Sequence, residues 1–150
     1  MFKGRYDHAV DGKGRASLPA RFRELLALTG DDRMVLTAAL DEHYAHIVAY
    51  PYSGWRTFEE KLALKPTFDP NVIALKRLYV ANAVECQVDG HGRILIPQAL
   101  RDHAEISREA TWLGMTTVVE LWQPSQWSRA YEEAQGRIHE VRQGLAGLDL

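Results

Sequence analysis

Apolar and polar positions recur in the same order twice along the chain. Ala16 and Leu18 alternate with Arg15 and Ser17, and further on Ile94 and Ile96 alternate with Arg93 and Leu95. A period of two puts each apolar pair on one face of a short strand. A proline follows each strand, Pro19 and Pro97, where its missing N–H suits the first turn of a helix. Phe22, Leu25 and Leu26 give the first such helix an apolar side and leave Arg21 and Arg23 facing elsewhere. Each copy therefore predicts a strand, a turn, a second strand and a short helix. Further strands are predicted over 34–38, 44–50, 111–115 and 117–122.

Helical spacing appears in two other places. Trp55, Phe58 and Leu62 recur at three and four residues, and Asp69-Pro70 is a good N-cap and first-turn pair for a helix running to about Val80. Near the end, Trp127, Tyr131, Ala134, Ile138, Val141 and Leu145 share one side of a helix. Two readings of that stripe stay open: docking onto the protein's own core, or contact with a partner helix or subunit.

The duplication is explicit in the residues. Shifting the chain by 78 places Asp11-Gly12-Lys13-Gly14-Arg15 on Asp89-Gly90-His91-Gly92-Arg93, Pro19 on Pro97 and Arg23 on Arg101. The likeness continues loosely through two apolar segments to Pro51 with Trp55 and to Pro124 with Trp127. Extra residues in the first copy fall around Asp41-Glu42-His43, where a hairpin loop tolerates them. The expected organisation is a module over 5–54, a helical connector over 55–82, a second module over 83–126 and a C-terminal helix over 127–150. Each half is small for a free-standing core. Two halves packed together with strands interleaved would solve that, so the predicted fold is an α+β, pseudo-twofold pair of β modules with helices around them.

Composition adds limits. A chain of 150 residues, 46% hydrophobic and 25% charged, has the makings of an ordinary folded core. No apolar run approaches the ~20 residues that span a bilayer, and Met1-Phe2-Lys3-Gly4-Arg5 has charge without the apolar stretch of a signal peptide, so we expect a cytoplasmic protein. The single cysteine, Cys86, lies in a predicted strand and reads as a structural thiol. His43 and His46 form an H-x-x-H pair, but a strand-rich hairpin would not aim both at one metal and no third ligand is evident. No nucleophile elbow, phosphate loop or dinucleotide fingerprint occurs. We therefore expect no enzyme, no metal, no cofactor and no small-molecule substrate.

The net charge of −2 argues against a nucleic-acid partner, but its distribution does not. Residues 1–23 carry Lys3, Arg5, Lys13, Arg15, Arg21 and Arg23 against only Asp7 and Asp11. The Asp-Gly-X-Gly-Arg run is strong turn chemistry, since Asp accepts from nearby amides and glycine permits positive φ. Asp11, Gly14, Asp89 and Gly92 could thus be turn residues and nothing more. Yet a solvent-facing arginine need not repeat for reasons of folding, and Arg15 with Arg93, and Arg23 with Arg101, repeat. Arginine's planar fork suits phosphate oxygens and the O6/N7 edge of guanine, and a two-stranded β element can enter the major groove.

Val10 through Pro19 resembles the AbrB/SpoVT swapped-hairpin DNA-binding module. Two copies in a chain of this length, opening Met1-Phe2-Lys3-Gly4, are similar to the MraZ family of bacterial transcriptional regulators. The resemblance implies an AbrB-like barrel and a cytoplasmic, nucleoid-associated regulator that forms rings or other homo-oligomers. It also implies binding to repeated G-rich sites in double-stranded DNA ahead of its own operon of division and cell-wall genes. By the same resemblance Arg15 and Arg23 belong to the DNA-binding surface, Arg93 and Arg101 inherit that role, and Lys13, Lys3 and Arg5 join it. A basic position of the AbrB module falls on His8, Lys3 stands where arginine is common, and His91 replaces Lys13 in the second copy, which makes that copy electrostatically weaker near neutral pH. The first copy is expected to bind DNA more strongly than the second. A structural or protein-binding oligomer, its basic end against an acidic partner, is the alternative on residues alone.

Overall fold

The computed structural model describes residues 1–150. In chain order the elements are β1 (Phe2–Ala9), β2 (Arg15–Ser17), α1 (Ala20–Ala27), β3 (Arg33–Ala38), β4 (Ile47–Pro51), α2 (Tyr52–Ala63) and α3 (Pro70–Leu75). A wider π turn, Lys76–Val80, continues α3 and is followed by β5 (Val84–Gln87), β6 (Arg93–Leu95), α4 (Gln98–Ala104), β7 (Glu109–Thr116) and β8 (Val118–Trp122). Two C-terminal helices, α5 (Pro124–Gly136) and α6 (Ile138–Gly144), complete the chain with a last 3-10 turn, Ala146–Leu148. No helix is long and apolar enough to cross a membrane.

Six strands form one antiparallel sheet in the order β1-β7-β8-β4-β3-β5, and β2 pairs with β6 in a separate two-stranded ribbon. The order reads the same from either edge once the repeats are exchanged. The first strand of each half lies against the third strand of the other, β1 on β7 and β5 on β3, while β4 meets β8 at the centre. The fold is thus the expected α+β pair of swapped hairpins, and neither half is a closed unit.

One face of the sheet supplies Met34, Leu36, Ile47, Trp112, Val119 and Leu121 to the main core. Ala16, Leu18, Ile94 and Ile96 from the ribbon, and Phe22, Leu26 and Leu100 from α1 and α4, close over it. Phe22 meets Phe2 and Tyr6 edge-on, with ring centroids 5.4 and 5.2 Å away, and so fastens α1 to the swapped strand β1. The opposite face carries a smaller cluster of Val35, Trp55 and Tyr79 under the connector helices. There the buried Thr37 hydroxyl donates to the Tyr79 carbonyl at 2.6 Å. Asp69 caps α3 as expected, accepting from the Asn71 amide at 2.8 Å, with Pro70 in the first turn.

Two boundaries differ from expectation. The strand expected from Tyr44 begins at Ile47, because the Asp41 carboxylate gathers the amides of His43 and Tyr44 into a side-chain-capped turn. The eight residues from Ala39 to His46 form the longer loop of the first half, where β7 and β8 are joined by a tight turn with Thr116 at φ 68°. The single C-terminal helix breaks at Arg137, whose φ of −111° and ψ of 16° lie outside the helical range, directly after Gly136.

Candidate nucleic-acid interface

The turn geometry follows from the Asp-Gly-X-Gly-Arg residues themselves. Asp11 Oδ1 accepts from the amides of Lys13 and Arg15, both at 2.9 Å, and Asp89 Oδ1 accepts from those of His91 and Arg93 at 2.8 and 2.9 Å. The second glycine of each turn is the one that must be glycine, for Gly14 sits at φ 86° and Gly92 at φ 75°. The carboxylates also hold the arginines. Arg15 Nε donates to Asp11 Oδ2 at 2.8 Å and Arg93 Nε to Asp89 Oδ2 at 3.0 Å. The hydrogen bond from the Arg15 amide, joined by the Arg15 guanidinium and the Lys13 amide, draws Asp11 down to about 2 against the opposing effect of desolvation. The Arg93 amide lowers Asp89 in the same way.

Both motifs meet on one surface. In the ribbon Arg15 lies opposite Leu95, Ala16 opposite Ile94 and Ser17 opposite Arg93, so a twofold passes between Ala16 and Ile94. Those two central residues point into the core, and Arg15, Ser17, Arg93 and Leu95 point outward. Arg15 and Arg93 are diagonal neighbours, about 7–8 Å apart by ordinary sheet geometry. Two cations that close repel, and each is balanced by its own aspartate. Only Nε is spent on that pairing, so the outer Nη groups, four N–H donors per guanidinium, stay open to an acceptor.

The helix arginines cross over. A Cβ built on Gly92 would lie 2.2 Å from Arg23 Nη1, and one on Gly14 would lie 2.5 Å from the Arg101 guanidinium carbon. Each helix arginine therefore covers the turn of the other repeat. The backbone crosses too, with Leu18 donating to the Gly92 carbonyl and Ile96 to that of Gly14, both at 2.9 Å. The two repeats thus make one composite surface. One end gathers Lys13, Arg15 and Arg101; the other gathers His91, Arg93 and Arg23.

The four arginines are not equivalent. Arg101 is committed, donating through Nε to the Ile96 carbonyl at 2.9 Å and through Nη2 to Gln98 Oε1 at 2.8 Å. Gln98 stands at the helix start, where the first repeat has Ala20, so Arg23 lacks that latch and is exposed. Gln98 escaped the sequence reading, although its spacing of three from Arg101 on a helix was the available signal.

Lys3 and Arg5 lie elsewhere. They share the outer face of β1 with Asp7, across the sheet from the ribbon. Arg5 is 3.8 Å from Asp7 and lines a cleft of about 360 Å³ with Pro124, Trp127 and Ser128 of α5. His8 lines the same cleft. His43 and His46 are not brought to a shared site. His46 is buried, stacked on Trp122 with centroids 4.0 Å apart, and its Nε2 lies 3.4 Å from Glu120. Burial alone would lower its pKa, but the bonds to Glu120 and the Tyr44 carbonyl raise it.

The C-terminal stripe divides at its first turn. Trp127 packs on Trp122, centroids 5.7 Å apart, while Tyr131, Ile138, Val141 and Leu145 are exposed.

Comparison with known proteins agrees with this architecture. The chain matches the family described as "MraZ protein, putative antitoxin-like" twice, over residues 1–78 and 79–143. It is 38% identical to the transcriptional regulator MraZ of Pelotomaculum thermopropionicum, across all of this chain and 99% of that protein. It is 37% identical to the protein of that name in Pediococcus pentosaceus and 35% to that in Desulfitobacterium hafniense, over the full length of both chains in each case. With two family matches that run almost end to end, and relatives aligned over their whole length, this chain belongs to the MraZ family.

Proposed function

We propose that the chain is a DNA-binding transcriptional regulator and that the β2–β6 ribbon is its contact with double-stranded DNA. One observation carries the reading: the two Asp-Gly-X-Gly-Arg turns, 78 residues apart in sequence, converge on one ribbon with Arg15 and Arg93 facing outward and their Nη groups open. The names of its relatives support a role in transcription. A two-stranded ribbon fits the major groove, where an arginine fork reads guanine, while Arg23, Arg101 and Lys13 flank it as phosphate contacts. Lys3 and Arg5, across the sheet, would take part only if DNA or a neighbouring subunit reached that face. The expected targets are repeated G-rich sites ahead of the protein's own division and cell-wall operon, read in the nucleoid.

The same reading makes the protein a homo-oligomer. If one ribbon neutralises about four phosphates, the salt slope is about −3.6, and affinity falls by roughly two decades between 50 and 200 mM salt. Repeating the site in an assembly raises avidity by roughly 10²–10⁴. The exposed stripe of Tyr131, Ile138, Val141 and Leu145 supplies a surface for assembly. A mobility shift on DNA from upstream of the gene tests the proposal. The double variant Arg15→Ala, Arg93→Ala should lose retention with its oligomer intact; unchanged retention removes the ribbon from the site and leaves the arginines to an acidic protein partner.

A further inference from the structure

The ribbon's backbone is twofold but its outer side chains are not. Arg15 and Arg93 exchange under the twofold, whereas Ser17 exchanges with Leu95. Leu95 is 55% exposed, directly opposite Arg15 and two residues along the strand from Arg93. An apolar side chain thus stands between two guanidinium groups on a surface of four residues, with nothing from this chain over it. We infer that Leu95 reads the C5-methyl of a thymine and so fixes the direction in which DNA lies on the ribbon. The inference rests on the reading of the ribbon as a DNA contact.

The chemistry narrows the partner. Base edges in the major groove offer nitrogen and oxygen acceptors, amino donors and one apolar group, the thymine methyl. A leucine seated on a donor or acceptor would strip its water and return no hydrogen bond, which is unfavourable. Seated on a methyl, it removes apolar surface from water on both sides. Ser17, at the twin position, can donate or accept and discriminates little among base edges. A perfect palindrome would present the same edge to Ser17 and to Leu95, but a thymine methyl serves Leu95 and offers the Ser17 hydroxyl no hydrogen bond, so the thymine is required on one side only. The requirement is therefore asymmetric, with a thymine needed on the side of Leu95 and free choice on the side of Ser17. Lys13 against His91 gives the two ends a second, electrostatic difference.

The test uses the full-length protein and the duplex from upstream of the gene, with each thymine in turn replaced by uracil, which keeps the base pair and removes the methyl. Wild type should bind about fourfold more weakly at one replaced position, the worth of one buried methyl, and should ignore the others. Leu95→Ser should bind thymine and uracil duplexes alike, and its melting should be unchanged because residue 95 faces outward. Two results overturn the inference while leaving the DNA contact standing: wild type indifferent to every replacement, or Leu95→Ser keeping the full preference, which would assign the effect to DNA shape. A wild-type protein that retains no duplex overturns the DNA reading and this inference with it.

Discussion

Gly114→Ala addresses the interleaving of the two halves at one atom. Gly114 faces Gly4 across the β1–β7 ladder, and the backbones come unusually close there. A Cβ on Gly114 would lie 2.3 Å from the Lys3 nitrogen, 2.4 Å from the Lys3 Cα and 2.6 Å from the Phe2 carbonyl carbon. These are backbone atoms and cannot rotate away, so β1 must move outward by about 1 Å to restore ordinary contact. Overpacking of this kind costs about 1–3 kcal/mol. One or two weakened ladder hydrogen bonds add about 1 kcal/mol each. A total of about 2–5 kcal/mol lowers the melting temperature of a domain this size by roughly 5–15 °C. The assay is urea and thermal denaturation, with amide exchange to place the loss in β1 and β7. Gly90→Ala is the control, since nothing lies within 4 Å of a Cβ there. A Gly114→Ala protein within about 1 kcal/mol of wild type would refute the swapped pairing of β1 with β7, because only that pairing brings Lys3 over Gly114.

Arg23→Ala should weaken DNA binding yet leave stability within about 0.5 kcal/mol, as expected for an exposed side chain; Arg101→Ala should also lose about 1 kcal/mol of stability, because two hydrogen bonds go with it. Paired denaturation and mobility-shift measurements check the split, and equal stability losses would contradict it. Asp11 lies at about 2 when folded and Asp89 is lowered too, so their stabilisation is complete above the ordinary aspartate pKa of about 3.9 and is lost as pH falls toward 2. The amide resonances of Gly14 and Gly92 should move in that window, and turns unchanged at pH 2 would show the carboxylates to be idle. Ile138→Ser with Val141→Ser should keep the circular dichroism of the wild type and lose the assembly in sedimentation; an unchanged sedimentation coefficient would take the stripe out of the interface.

Much of this was legible in the residues. The repeat, its turns, the outward arginines and the Asp69 cap follow from local chemistry, and the small size of each half already called for interleaved strands. Which strands would pair was not legible, because a period of two tells a strand its face but not its partner. The crossing of Arg23 onto Gly92 and of Arg101 onto Gly14 depends on that pairing, as does the merging of two motifs into one surface. An ordering of the copies by strength therefore becomes an ordering of two mixed ends, each with one turn and the other repeat's helix arginine. Lys3 and Arg5 look continuous with Arg15 in a charge count, yet alternation along β1 turns them to the far face. The late start of β4 depends on one side chain, Asp41, outcompeting the ladder for the amides of His43 and Tyr44.

The central claim is that Arg15 and Arg93 act together on one stretch of DNA, and binding to the upstream duplex and to unrelated DNA across a salt series measures that most directly. Titrating the upstream duplex by fluorescence anisotropy from 50 to 200 mM salt should give a slope of about −3.6 per ribbon for wild type. Arg15→Ala and Arg93→Ala should each keep that slope while weakening binding by about 1–3 kcal/mol, as lost base contacts do, and the double variant should lose its preference for the upstream duplex over unrelated DNA. A double variant that keeps the wild-type preference for the upstream duplex would contradict the account.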